Sequence, residues 1–197
     1  MKIKKLISAL VLGSMLVGLS GCNITDFSAE NLLRPPKAVG DEAEIEQLIA
    51  KTADSGYTLK YPKNGKFRSA IIMTDLDGND SNEAVAFFRN SAETSSVHML
   101  VMYSKDNSWE IASDNIFETT DIDSVDFADL TGNGKAEIIV NSTTYTPNVG
   151  KLSCYSYSEG KTNEVGSGQS CSSFVTGDFD NDGTSEIMSL VLYTTEN

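Results

Sequence analysis

Three stretches of this 197-residue chain share one pattern: Asp75-Leu-Asp-Gly-Asn-Asp-Ser-Asn-Glu83, Asp129-Leu-Thr-Gly-Asn-Gly-Lys-Ala-Glu137 and Asp178-Phe-Asp-Asn-Asp-Gly-Thr-Ser-Glu186. Their starts lie 54 and then 49 residues apart. A recurrence near that period constrains the fold more than any other feature, because each copy is then one supersecondary unit that must bury its apolar side against a neighbour. The runs around the loops alternate apolar and polar residues and are rich in β-branched and aromatic side chains: SAIIMTD, EAVAFFR, SVHMLVMYS and SWEIAS around the first, SVDFADL, AEIIVNSTTY, GKLSCYSYS and TNEVGSG around the second. SSFVTGDFD and SEIMSLVLY begin the scheme a third time. Gly and Asn/Asp clusters separate the runs as hairpin loops require. The chain is therefore expected to be mainly β, a partial β-propeller-like stack of four-stranded antiparallel blades, about two and a half in number, over residues 57–197. Blade one is placed at about 67–117, blade two at about 122–168 and half of a third at about 172–195. The missing half favours a truncated propeller over an open stack or assembly with another chain, since an open stack exposes an inter-blade face.

The loops also carry the chemistry. Hard oxygens at positions 1, 3, 5 and 9, with a turn at position 6, converge on one point and suit Ca²⁺, which takes six to eight oxygen ligands. The third loop is the best candidate: Asp178, Asp180, Asp182 and Glu186 supply carboxylates, the Thr184 carbonyl adds an oxygen and Gly183 fits the turn. The first offers Asp75, Asp77, Asn79 and Glu83, with Asp80 at the turn, where Asp is among the residues that tolerate positive φ. The second has only Asp129 and Glu137 as carboxylates, helped by Thr131 and Asn133, so a metal-free hairpin turn is favoured there. For all three an alternative stands in which Asp and Asn simply satisfy backbone amides. An EF-hand is excluded, because position 12 of the third loop is Ser189 and strands, not helices, flank the loop. The spaced loops resemble the FG-GAP and VCBS-type repeats of integrin-like β-propellers, and the resemblance implies structural calcium in a blade's first hairpin.

The N-terminus reads as an address. Lys2, Lys4 and Lys5 precede an apolar run from Leu6 to Leu19, then small residues end at Cys22. This is the layout of a secretory signal peptide over residues 1–21, too short to span a bilayer. Leu19-Ser20-Gly21-Cys22 resembles the bacterial lipobox. That implies cleavage before Cys22, a diacylated thiol and an acylated amino group, which together give a stable membrane anchor on the extracytoplasmic face. Residues 22–40 then form a lipidated stalk stiffened by Arg34-Pro35-Pro36, and residues 41–56 an amphipathic helix with Ile45, Leu48 and Ile49 on one face. The order of lipobox, LLRPPK segment and repeats resembles lipoproteins of Gram-positive anaerobes that carry no assigned activity.

The formal charge of −13, with 15 basic and 28 acidic residues, argues against nucleic acid as a partner. Among possible catalytic groups, the single His98 reads as an ordinary strand residue, no Ser has a recognisable base, and carboxylates engaged with a cation are poor acids and bases. Cys154 and Cys171 are read either as small buried residues or as a possible disulfide. Trp109 and the strand aromatics are expected in the core. The expectation is a non-enzymatic, lipid-anchored surface protein that acts in interaction or adhesion through an extracellular protein or glycan. The alternatives are an envelope enzyme or assembly factor whose site lies outside this sequence, and a cell-wall or carbohydrate-binding module.

Overall fold

The alternating runs resolve into antiparallel strands whose two faces bury different neighbours. The computed structural model describes residues 40–54, 56–93, 95–143 and 149–192, so the expected signal peptide, Cys22 and nearly all of the expected stalk lie outside the described residues. Helix α1 (Asp41–Ala53) follows Gly40 with Asp41, Glu42 and Glu44 in its first turn, where the helix dipole favours acids. Ile45, Ile49 and Ala53 form its buried stripe. Among the described residues no helix is long and apolar enough to cross a membrane.

The first sheet contains β1 (Tyr57–Leu59), β2 (Ile71–Thr74), β3 (Glu83–Asn90), β4 (Val97–Lys105) and β5 (Ser108–Phe117). Strands β1 and β2 lie end to end along the same side of β3, opposite Phe88 to Asn90 and Glu83 to Ala86 respectively, so the sheet has four strand positions. The second sheet is the meander β6 (Ile122–Ala128), β7 (Glu137–Thr143), β8 (Gly150–Ser158) and β9 (Lys161–Cys171). A third hairpin pairs β10 (Ser173–Gly177) with β11 (Glu186–Leu190). In each complete sheet an acidic loop closes the first hairpin. The second hairpin turns through Asp106-Asn107 or Glu159-Gly160, both residues of each pair at positive φ, the two-residue turn that matches strand twist.

Period-two burial sorts the core into layers. On β3 and β4, Ala84, Ala86, Phe88, Leu100 and Met102 face α1, together with Trp109 of β5. Val85, Phe87, Met99 and Val101 face the other way, onto Ile138, Val140, Tyr155 and Tyr157 of the second sheet, in a cluster of fourteen buried side chains. The far face of the second sheet holds a smaller cluster of Ile139, Leu152 and Cys171, against which Phe174 and Ile187 of the third hairpin pack half-buried. The outward face of that hairpin leaves Val175, Met188 and Leu190 exposed.

A segment between β1 and β2 ties the two sheets together. The Lys63 and Asn64 N–H groups donate to the Ile122 and Asp123 carbonyls at the edge of β6. Lys60 and Lys63 grip the Asp121 carboxylate at 2.7 and 3.2 Å, and the Phe67 ring meets Phe127 edge-on at 4.9 Å. The excursion thus covers the exposed edge of the second sheet, where unpaired backbone would otherwise face water.

Candidate metal centre

The three loops share one hydrogen-bond plan. In the first, the Asp75 carboxylate accepts from the backbone N–H groups of Gly78 at 2.8 Å, Asn79 at 3.2 Å and Asp80 at 2.9 Å. In the second, Asp129 accepts from Thr131, Gly132, Asn133 and Gly134. In the third, Asp178 accepts from Asp182 and Gly183. The closing glutamate reaches back seven residues in every copy: Glu83 accepts from the Leu76 N–H, Glu137 from Leu130 and Glu186 from Phe179, each at 2.8 Å. Position 5 caps the amide two residues on, as Asn79 does for Ser81, Asn133 for Lys135 and Asp182 for Thr184.

Backbone conformation explains the glycines. Position 6 has positive φ in all three loops, at Asp80, Gly134 and Gly183, so Asp80 adopts the left-handed turn expected of it. Position 4 is left-handed as well, at Gly78, Gly132 and Asn181, a requirement the sequence reading did not draw from the Gly, Gly and Asn found there. Gly78 is doubly constrained, since a Cβ there would sit 2.7 Å from the Gly134 carbonyl oxygen. The loops stack in series: the Ala136 N–H donates to the Leu76 carbonyl at 3.0 Å and the Ser185 N–H to the Asp129 carbonyl at 2.9 Å.

The carboxylates differ in how they are arranged. Asp178, Asp180, Asp182 and Glu186 each bring an oxygen within 4.8 Å of the others, and so do Asp75, Asp77 and Glu83. Of the other residues expected at these sites, Asn79 and Asn133 accept backbone amides with their side-chain oxygens, while the Thr184 N–H donates to Asp182 and the Thr131 N–H to Asp129. In the first loop Asp77 Oδ1 is buried and makes no hydrogen bond. An orphaned carboxylate oxygen beside two other carboxylates is costly unless a cation occupies the gap, so this donor set fits a divalent ion. Burial, followed by the charges of Asp77 and Asp75, pushes Glu83 up from its ordinary value against the Leu76 hydrogen bond. Asp75 and Asp129 move the other way: desolvation works to raise them, but the surrounding backbone amides outweigh it and hold both below the ordinary Asp range. Every amide bond to Asp129 favours its charged form, and among the described residues no third carboxylate joins it and Glu137. These amide bonds satisfy the second loop's turn through Asp129 itself.

Two other expectations meet the geometry. The possible Cys154–Cys171 disulfide is corrected: both thiols are free. Cys171 ends β9 opposite Gly150, whereas Cys154 lies opposite Gly166, four residues further along β8. That is about 13 Å at roughly 3.3 Å per residue, beyond the reach of a bridge. His98 has more partners than an ordinary strand residue. It is buried and stacked on Phe88, with Nδ1 2.9 Å from Asp114 and Nε2 3.2 Å from Glu93, which also accepts from the Ser96 hydroxyl. Asp114 is its diagonal neighbour across the β4–β5 ladder, a pairing legible only once the register is known. Neither a protein-family profile, nor a curated protein, nor a solved structure matches the chain.

Proposed function

We propose that the chain is a lipid-anchored protein of the extracytoplasmic membrane face, built from FG-GAP/VCBS-like blades that calcium stabilises, and that it acts by binding another molecule rather than by catalysis. The observation that carries the reading is the repeated loop: one hydrogen-bond plan, three copies in series, and convergent carboxylates in the first and third. Asp178, Asp180, Asp182, Glu186 and the Thr184 carbonyl would hold one ion; Asp75, Asp77, Asn79 and Glu83 would hold another. The ion would supply positive charge to carboxylates that otherwise repel one another, and the residues themselves fix the turn that closes each hairpin and stacks on the loop of the neighbouring sheet. A propeller-like stack is supported by layer equivalence. Val85 and Ile139, each two residues after its loop glutamate, both face the next layer, and the corresponding Met188 faces outward. The position of Cys22 after the apolar run supports the anchor. Expressed in a bacterium, the wild-type chain is expected in the membrane fraction, and Cys22→Ser in the soluble extracytoplasmic fraction. Unchanged membrane association of the variant would refute the anchor.

A further inference from the structure

Strand β2 is an edge of the first sheet and lies beside a groove. Its residues, Ile71-Ile72-Met73-Thr74, include no charge and no proline, the usual devices that keep an edge from pairing. The Phe87 N–H donates to the Ala70 carbonyl, so by antiparallel alternation Ile72 and Thr74 exchange bonds with β3. The backbone groups of Ile71 and Met73 then point away from the sheet. The Ile71 N–H turns back to the Ser69 hydroxyl at 3.3 Å, which leaves the Ile71 carbonyl and both Met73 groups without a partner among the described residues. Alongside this edge, between β2 and α1, runs a cleft of about 430 Å³. Its floor is apolar, from Ile45, Leu59, Ile71 and Met73, and it is open: Tyr61 is 60% exposed and Met73 41% exposed. Its helical wall carries Asp41, Glu42 and Glu46, and no Lys or Arg among the described residues lines it. Three carboxylates exceed the half positive charge of the helix N-terminus, so the groove is net negative.

We infer that this groove binds an extended, cationic and apolar peptide segment of a partner protein, which adds a strand to the free edge of β2. Charge selects the partner: a basic side chain answers the wall of α1 and an apolar one the floor. Because alternate residues of an added strand point to the same side, both must recur at every second position. The backbone of Ile71 and Met73 supplies the main-chain bonds. This names the partner class for the interaction reading above and rests on it only in taking the chain to act by binding.

The test uses the full chain in calcium-containing buffer, after a melting curve has shown it folded, and a fluorescent probe peptide, acetyl-Leu-Ser-Lys-Ser-Leu-Ser-Lys-amide. Saturable binding is expected, at least tenfold weaker when glutamate replaces lysine in the probe. Glu46→Lys should weaken binding at least tenfold, while Glu159→Lys, in the remote β8–β9 turn, should leave it unchanged. Met73→Pro removes an outward N–H at an edge position that tolerates proline, and should abolish binding at unaltered melting temperature. If Met73→Pro unfolds the chain, Glu46→Lys decides alone. Equal binding of the glutamate probe, equal effects of the two lysine variants, or binding of lysine amide as tight as that of the peptide would overturn the inference. Such a failure in a chain that calcium still stabilises would leave the calcium reading intact.

Discussion

Replacing Phe87 by alanine should unfold both sheets more easily, not only the one that contains it. Phe87 is fully buried and lies in the fourteen-residue cluster that the first sheet shares with Ile138, Val140, Tyr155 and Tyr157 of the second. Truncating a buried phenylalanine costs about 3–5 kcal/mol through lost transfer energy and the cavity left behind. For a chain of this size each kcal/mol shifts the melting temperature by about 2–4 °C, so a fall of roughly 10 °C is expected. Phe174→Ala removes a ring that is only half-buried against the small cluster of Ile139, Leu152 and Cys171, and should cost about 1–2 kcal/mol. Urea denaturation measures both costs, and hydrogen exchange followed by mass spectrometry locates them. In Phe87→Ala, peptides from β3 and β4 and from β7 and β8 should lose protection together. In Phe174→Ala the loss should stay near β10 and β11, which have few buried contacts and exchange first in the wild type. Loss confined to β3 and β4 in Phe87→Ala, or equal costs for the two variants, would refute the claim that the first two sheets form one cooperative core.

Acid should weaken the link between the sheets in a defined way. Burial works to raise the Asp121 carboxyl, but hydrogen bonds and charge from Lys60 and Lys63 outweigh it and hold it below its ordinary value. Its folded pKa is therefore depressed relative to the unfolded chain. The stability it adds is present above the ordinary Asp pKa of about 3.9 and is lost as pH falls through the lower folded value. Acid titration of Asp121→Asn should show a shallower loss of stability below about pH 4 than the wild type; superimposable titrations would contradict the assignment.

Much of this architecture was legible because it is written in local pattern. Period-two runs place β3, β4, β7 and β8, the helical spacing of Ile45 and Ile49 places α1, and Asp, Asn and Gly at fixed offsets mark the acidic loops. The missed features depend on partners distant in sequence. The β1–β2 excursion has no period of its own and is shaped by the edge of β6, so nothing local announces that Lys63 and Asn64 pair with it. Cys171 could not be assigned to a sheet until register shifts in the β8–β9 ladder were known. The His98 network likewise needs Asp114 from the next strand and Glu93 from the preceding loop. Within the candidate metal site, residue types mark the three loops and their carboxylates, whereas the left-handed position 4, the reach of each glutamate back seven residues and the unpartnered Asp77 oxygen are properties of the folded chain.

The most direct test of the central claim, that this is a repeat of acidic loops of which the first and third hold calcium, is a melting curve of the full chain in excess Ca²⁺ and again in chelator. A site saturated at a hundred times its dissociation constant adds about 2.7 kcal/mol. One such site corresponds to roughly 5–10 °C for a chain of this size. Calcium is expected to raise the wild-type melting temperature by at least that much, Asp180→Ala and Asp77→Ala each to remove part of the rise, and Asp129→Asn to lower stability equally with and without the ion. Identical wild-type curves in calcium and in chelator would contradict the account.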